Sequence, residues 1–362
     1  MKILLIITEL GEGGAENALG QVASGLSRRG HQVRVACLFN SDGAVARRLN
    51  AAGIEVDSLG VTGTAKLPAG LKRLRAVIRD FVPDIVHSWL FHANFLARLA
   101  LPRGLPLIAS LRVVEPRKSH VWLEALTHGR VSHCICVSNA VQEFAVEQVG
   151  MDAARCTTIG NGVDFEAFAA ARAANRGSAT MQGLCVARLT HQKGLDILLE
   201  ALAGLPADID WHWRFVGAEP EPVCAAQLRQ AAAHLGIAAR LDWCGPVPRE
   251  QLVDYYAAAN LLALPSRWEG QANVVLEALA AGVPVLASET DGIRDLTAAA
   301  PAALTVVADN VAAAWTAALN DLWRAPDRRA AQVEAGVAFT SDRAWATVVD
   351  RHLEVYRDVS GA

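Results

Sequence analysis

Long apolar runs, paired cysteines and a strong charge bias are all missing from this chain. Although 52% of its 362 residues are apolar, no uninterrupted apolar stretch approaches the roughly 20 residues that a membrane span needs. The amino-terminal MKILLII holds about six apolar residues, fewer than the ~7–15 of a secretion signal, and no small-residue cleavage site follows. It reads as a first buried strand, and a soluble, cytosolic protein is expected. Seven cysteines are scattered without one CxxC pair, which argues against zinc or a disulfide framework and for reduced core thiols. Net charge is only −3, too mild for nucleic-acid binding. It is uneven: residues 1–166 carry 18 Lys and Arg against 15 Asp and Glu, or +3, and the remainder carries 16 against 22, or −6. The first half is therefore expected to meet something anionic.

What fills the chain is alternation. The first half reads as strands KILLII, QVRVACL, DIVHSW, PLIASL and HCICVS, each followed by an amphipathic helical stretch. The second half repeats the pattern with GLCVARL, WHWRFVG, RLDWCG, NLLALPS, VPVLAS and LTVV. Near-continuous apolar strands alternating with helices predict parallel sheets covered on both faces, an α/β fold of two doubly wound domains. The alternation breaks at DFEAFAAARAANRGSATMQ, residues 164–182, which has no strand pattern and reads as a linker. The closing DRAWATVVDRHLEVYRD puts Trp345, Val348, Val349, His352, Leu353 and Tyr356 on one broad face, so this helix must pack on something.

Chemistry concentrates where strands end, because in open α/β sheets ligands bind outside the strands' carboxyl ends. The first strand runs into TELGEGGAEN. Its Gly11, Gly13 and Gly14 let backbone N–H groups approach a ligand, but Glu16 stands where a dinucleotide fingerprint needs its third glycine. The second strand also lacks the acid that would hold a ribose, so nicotinamide chemistry is not expected. VHSWLFHANF places His87 at a strand end and His92 at the next helix start. In GLCVARLTHQKG, Arg188 and Lys193 flank a turn and Gly194 opens the helix, a setting for a doubly charged anion such as a diphosphate. In PSRWEGQANVVLEALAAGVPVLAS, Glu269 sits in a strand's outgoing loop and Glu277 inside the following helix. Asn273 is the expected cap of a helix over 274–281. Two acids so placed can grip two separated polyol groups, and the N–H groups of Gly270, Gln271, Ala272 and Asn273 lie beside them at the helix start. Asp208-x-Asp210 has a spacing used by metal-dependent transferases, but it precedes a strand, and no metal site is expected there.

With these stretches in hand, the chain resembles a retaining glycosyltransferase of family 4, over essentially its whole length. The Glu269-to-Glu277 block is the most specific part, supported by GEGGAE, IGNGVDFEAF, ARLTHQKG, FVGAEP and CGPVPREQL in order. The resemblance implies the GT-B architecture: two Rossmann-like domains facing a cleft. Residues 1–170, completed by a helix over about 342–362, would bind the acceptor, and 171–341 the nucleotide sugar. It implies a nucleoside diphosphate sugar donor, UDP being the commonest base, with no cofactor and no catalytic metal. Glu269, with the backbone of residues 270–273, would face the donor sugar, and Glu277 would hold the ribose. Arg188 and Lys193 would stabilise the leaving diphosphate. Gly217 and the Gly245–Val247 turn would meet the nucleotide. Gly13, Gly14 and Glu16 would lie at the donor phosphate and acceptor entrance. His92 matches the family's sugar-facing histidine, with His87 behind it as a candidate acceptor or sugar contact. Trp89 stands where the family often has a second histidine.

The acceptor implied is a glycan or lipid-linked glycan. KLPAGLKRLRAVIRDFV adds Lys72, Arg73, Arg75 and Arg79, and LRVVEPRKSHVW adds Arg112, Arg117, Lys118 and Trp122. Together they suggest a basic surface for anionic lipid, and with it a peripheral place on the cytosolic face of the membrane. Two rival readings are a UDP-sugar epimerase of the same architecture and an inactive sugar-nucleotide-binding protein. The second predicts losses among Arg188, Lys193, Glu269 and Glu277, all of which are present.

Overall fold

The structure, a computed structural model, describes residues 1–11, 13–174 and 179–361. The chain forms two compact units, Met1–Gly162 with Trp345–Ala362, and Val163–Ala344. In chain order the first unit contains β1 (Lys2–Ile7), α1 (Gly14–Arg28), β2 (Gln32–Cys37), α2 (Ala44–Ala51), β3 (Glu55–Ser58), α3 (Leu67–Phe81) and β4 (Ile85–Trp89). It continues with α4 (Phe91–Ala100), β5 (Leu107–Leu111), α5 (Lys118–Thr127), β6 (His133–Cys136), α6 (Asn139–Glu147) and β7 (Cys156–Thr158).

Its seven strands pair in parallel in the order β3-β2-β1-β4-β5-β6-β7. The order reverses between β1 and β4, which puts the ends of β1, β4 and β5 at the switch point where ligands bind. Both faces are covered, so β1 is buried nearly throughout. Leu4, Ile6 and Val86 point into one core layer with α3 and α4; Ile3, Leu5 and Ile7 point into the other with α1. That second layer is closed by the chain's last helix, Trp345–Ser360, whose Val348, Val349, Leu353 and Tyr356 are buried in it, packed on α1. Gly25 makes the approach feasible, since a Cβ there would stand 2.5 Å from Val349 Cγ2.

The second unit contains α7 (Phe165–Ala174), β8 (Met181–Val186), α8 (Leu195–Ala203), β9 (Trp211–Val216), α9 (Pro222–His234), β10 (Leu241–Gly245) and α10 (Arg249–Ala258). After these come β11 (Leu261–Leu264), α11 (Asn273–Ala280), β12 (Val285–Ser288), α12 (Asp291–Ala299), β13 (Thr305–Val307), α13 (Ala312–Trp323) and α14 (Pro326–Ser341). The terminal helix is thus α15. The sheet is again parallel, in the order β10-β9-β8-β11-β12-β13, with its switch between β8 and β11. Gly183 of β8 lies under Trp213, whose ring would stand 2.0 Å from a Cβ at that position.

The expected linker over 164–182 is corrected. Residues 175–178 of it lie outside the described residues, but 165–174 are helix α7 and Met181 opens β8. Phe168 and Ala171 are buried in the second unit's core, with Phe168 edge-on to Tyr256 at 5.3 Å between ring centres. The division therefore falls at Gly162/Val163 rather than at 170/171. Asp208 and Asp210 precede β9, away from the strands' carboxyl ends. Asp208 pairs with Arg324 at 2.7 Å and Asp210 accepts from Thr180 Oγ1 at 2.7 Å. No cluster of three metal-ligating side chains occurs among the described residues.

Candidate active site

In the second unit, two loops at the switch point are locked together. After β8 the chain passes Arg188 and makes one 3-10 turn, His191–Lys193, before Gly194 starts α8 with φ 62°. A Cβ at Gly194 would lie 2.1 Å from the Pro265 carbonyl oxygen, so only glycine fits both the angle and the approach. After β11, the Pro265–Ala272 loop is held at several points. Gln192 Nε2 donates to the Trp268 carbonyl at 3.0 Å, and Arg267 forks onto Asp196 at 2.7 and 3.0 Å. Asn310 Nδ2 donates to the Pro265 carbonyl at 3.1 Å.

Inside this frame Lys193 Nζ forms an ion pair with Glu269 Oε1, which also accepts from Ser266 Oγ at 2.7 Å. Both members are mostly buried. Arg188 is exposed beside them, its guanidinium 3.5 Å from Gln192 Oε1. The loop N–H groups of residues 270–273 lead into α11. That helix starts at Asn273 with Ala272 as its cap and no side-chain capping bond, so the expected Asn273 cap is corrected. Gly292 backs the loop, since a Cβ there would stand 2.4 Å from the Gly270 carbonyl oxygen.

Glu277 lies one turn into α11, buried. Its Oε1 pairs with Arg249 at 2.9 Å, and its Oε2 accepts from the Tyr256 hydroxyl at 3.0 Å. Burial raises its pKa, while Arg249 and Tyr256 pull it back down. Gly217 meets the same end of the sheet: its N–H donates to the Gly245 carbonyl at 2.9 Å, and a Cβ would stand 2.0 Å from the Ala187 carbonyl oxygen. Val247 is half-buried after β10, two residues before Arg249.

In the first unit, Gly13 caps α1, Gly14 opens it, and both are exposed. The Glu16 carboxylate folds over Gly13, where a Cβ would be 2.0 Å from Oε2. His92 is exposed at the start of α4, after Leu90 turns the chain with φ 72°. Such an angle is costly for leucine and clusters at functional sites. The His92 ring meets His120 edge-on at 5.6 Å, and His120 Nδ1 lies 3.1 Å from Glu115 Oε2. Partial burial, then His120 and Arg117, hold the His92 pKa below its ordinary value.

His87 is a correction. It is fully buried, with Nδ1 2.6 Å from the Tyr356 hydroxyl and Nε2 2.8 Å from Ser110 Oγ. Both ring nitrogens are used inside the core, so it makes no acceptor or sugar contact. Burial, with help from His352 and Arg112, holds its pKa well below the ordinary value. Arg112 is also corrected, from surface cation to buried group. Its guanidinium lies 4.8 Å over the Trp89 ring and donates to Asn161 Oδ1. Burial lowers its pKa to about 10, against the pull of Glu16. Sequence reasoning gave Arg112 a role only on a lipid-facing surface, and gave no site role to Asn161, Arg249, Tyr256 or Ser266. The quoted IGNGVD and CGPVPREQL stretches contained Asn161 and Arg249, and only folding shows what they touch.

Comparison with known proteins fits this geometry. The family model described as Glycosyltransferase Family 4 matches residues 12–167, and the one described as Glycosyl transferases group 1 matches 175–338. A D-inositol 3-phosphate glycosyltransferase of Xylanimonas cellulosilytica is 32% identical over 327 residues, covering 80% of this chain and 75% of that protein. A phosphatidyl-myo-inositol mannosyltransferase of Mycobacterium leprae is 27% identical over 360 residues, covering 96% and 94%. The crystal structure of Anabaena Alr3699/HepE in complex with UDP superposes with a TM-score of 0.86 at 20% identity, over 99% of this chain and 100% of that one. That likeness establishes the fold, two Rossmann-like domains of the GT-B kind. The chain belongs to glycosyltransferase family 4, the group 1 glycosyltransferases, and is an enzyme of the hexosyltransferase type.

Proposed function

We propose that the protein transfers a hexose from a nucleoside diphosphate sugar, with UDP as the base, to a glycan or lipid-linked acceptor with retention of anomeric configuration. The observation that carries this reading is the Lys193–Glu269 pair, set at a switch point beside Arg188, with Glu277 buried one turn away. Arg188 and Lys193 meet the diphosphate, Lys193 exchanging its carboxylate partner for phosphate oxygen. Glu269 and the N–H groups of residues 270–273 hold sugar hydroxyls. Glu277 holds the ribose, and Gly217 and Val247 line the nucleotide's path. On the acceptor side, Gly13, Gly14, Glu16 and His92 lie at strand ends of the first unit. The bond from C1 to the diphosphate oxygen breaks as the bond to the acceptor oxygen forms on the same face. The acceptor proton passes to the departing phosphate oxygen. The two cations stabilise the charge that develops there, so no metal is required.

The acceptor side also carries a surface suited to anionic lipid, made of the expected residues except Arg112. Arg112 is buried, while Arg73 donates to the Leu59 carbonyl and Arg75 to those of Leu99 and Ala100. Lys72, Arg73, Arg75 and Arg79 of α3 all stay exposed, and on α5 Trp122 and Leu126 are 63% and 66% exposed beside Arg117 and Lys118. Large apolar side chains bordered by cations suit a lipid interface. No helix among the described residues is long and apolar enough to cross a membrane.

The test is a donor screen by thermal shift, followed by mass spectrometry of products and NMR of the new linkage, with and without EDTA. Transfer from a UDP-sugar with retained configuration and undiminished rate in EDTA is expected. Epimerised UDP-sugar without any transfer, or inversion, would overturn the reading.

A further inference from the structure

The Glu277 carboxylate is the most enclosed charge at the proposed donor site, and what surrounds it is specific. Arg249 is the first residue of α10 and directly follows the turn after β10. Its guanidinium reaches Glu277 Oε1 at 2.9 Å, with the arginine side chain 27% exposed and the glutamate 4%. Tyr256, two turns further along the same face of α10, donates to Oε2 at 3.0 Å from a fully buried position. One helix thus fixes both oxygens of one carboxylate. Each oxygen keeps lone-pair capacity for a ligand hydroxyl.

We propose that Arg249 is a positioning residue for the donor site, holding Glu277 ionised and oriented so that it can accept hydrogen bonds from the ribose. This rests on the reading of the second unit as the nucleotide-sugar site. The physical need is plain. A carboxylate buried alone takes up a proton, and a protonated carboxyl offers fewer acceptors to a diol. Among the described residues, Arg249 is the cation that opposes this. The other neighbours of α11 among the described residues supply none at Glu277. Arg172 of α7 donates to the Ala280 carbonyl at 3.2 Å, at the far end of the helix. From α14, Gly336 packs on Leu279, and β11 and β12 present Leu, Ala, Val and Ser. Cys185 of β8 adds only a thiol near Tyr256. The pKa of Glu277 is raised by burial and lowered by Arg249, in keeping with this geometry.

The sign follows. Without Arg249 the carboxyl keeps its proton to higher pH, so nucleotide affinity should fall near neutrality and recover as pH rises. Each unit of pKa shift is tenfold in the ionised fraction on the acid side. The experiment is calorimetric titration of the full-length protein with UDP from pH 5.5 to 9. It compares wild type, Arg249→Ala, Arg249→Lys, Glu277→Gln and the Arg249→Ala/Glu277→Gln double variant, with thermal midpoints checking the fold. The expected result is about tenfold weaker binding at pH 7 for Arg249→Ala, with most of the loss recovered by pH 9. Arg249→Lys should restore a near wild-type profile, and the Arg249→Ala effect should vanish in the Glu277→Gln background. In turnover the loss should read in the donor KM rather than in kcat. A pH-independent loss, or equal losses with and without Glu277, would overturn the proposal. If Glu277→Gln weakens UDP binding and Arg249→Ala does not, Arg249 alone is misassigned. If neither variant weakens it, the donor-site reading fails with it.

Discussion

The two units share one architecture and differ in the polar groups placed at their switch points, although the first unit also buries an ion pair, Arg98 with Glu124, away from its switch point. Each is a doubly wound parallel sheet whose first strand feeds a glycine-assisted turn and a helix. In the second unit the polar groups at the switch point are ion pairs, Lys193 with Glu269 and Arg249 with Glu277. In the first, they are a nearly neutral buried set in which His87 bridges Ser110 and Tyr356, and His352 stacks on Trp89 at 6.1 Å. Arg112 is its one cation, spread over an indole ring. One fold can therefore carry paired charges or a mostly neutral hydrogen-bonded set at its switch point, depending on a few side chains at strand ends. An ion pair has a partner that a phosphate can displace, whereas a neutral hydrogen-bonded set in the core stiffens its surroundings.

The sharpest way to break this contrast is to remove a cation from the second unit. Arg188→Ala or Lys193→Ala should lower kcat by roughly two to four powers of ten with the fold intact, because stabilisation of a developing anion is lost. Steady-state kinetics beside circular dichroism would check it, and wild-type turnover in both variants would remove the basis for the assignment. The first unit answers to acid instead. The His352 pKa is pushed down to about 4, chiefly by burial, from an ordinary value near 6.5. In the unfolded chain the imidazole binds a proton as pH falls below 6.5, while the folded one resists. Stability is thus full above that pH and is lost towards pH 4, by about 2 kcal/mol between pH 7 and 5. Urea melts followed by the fluorescence of Trp89's unit should show this, and His352→Leu should flatten it. A steeper loss in the leucine variant would contradict the assignment. The smallest effect concerns the lipid surface, where each cation near an anionic bilayer adds about 1 kcal/mol. Sedimentation with anionic vesicles should retain wild type at low salt, and Trp122→Ala/Lys118→Glu should release it. Equal recovery in the supernatant throughout would leave a soluble enzyme with a soluble acceptor.

Much of this contrast was invisible in the sequence, for physical reasons. Central strands announce themselves because burial on both faces makes them continuously apolar. β3 and β7 did not, since each lies at a sheet edge with one neighbour, and EVDS and CTT are only partly buried. Helix α7 hid in an alanine-rich run that looks like a linker until Phe168 is seen in the core. The glycines and acids of the candidate site stand out in the sequence because their types and spacing suit the proposed chemistry. Which cation faces which acid was not. Arg112 reads as one of a basic run with Arg117 and Lys118, and its burial over Trp89 depends on a strand far off in sequence. His87 and His92 look equivalent as letters, and the fold sends one ring inward to Tyr356 of the last helix and the other to the surface.

The second unit's paired charges are proposed to form a diphosphate site. The most direct test is calorimetric titration of UDP into wild type and into Arg188→Ala/Lys193→Ala. We predict saturable one-to-one binding in wild type, weakened by about a hundredfold in the double variant, as expected for losing two charge-assisted contacts. UDP binding of wild-type strength in the double variant would contradict the account.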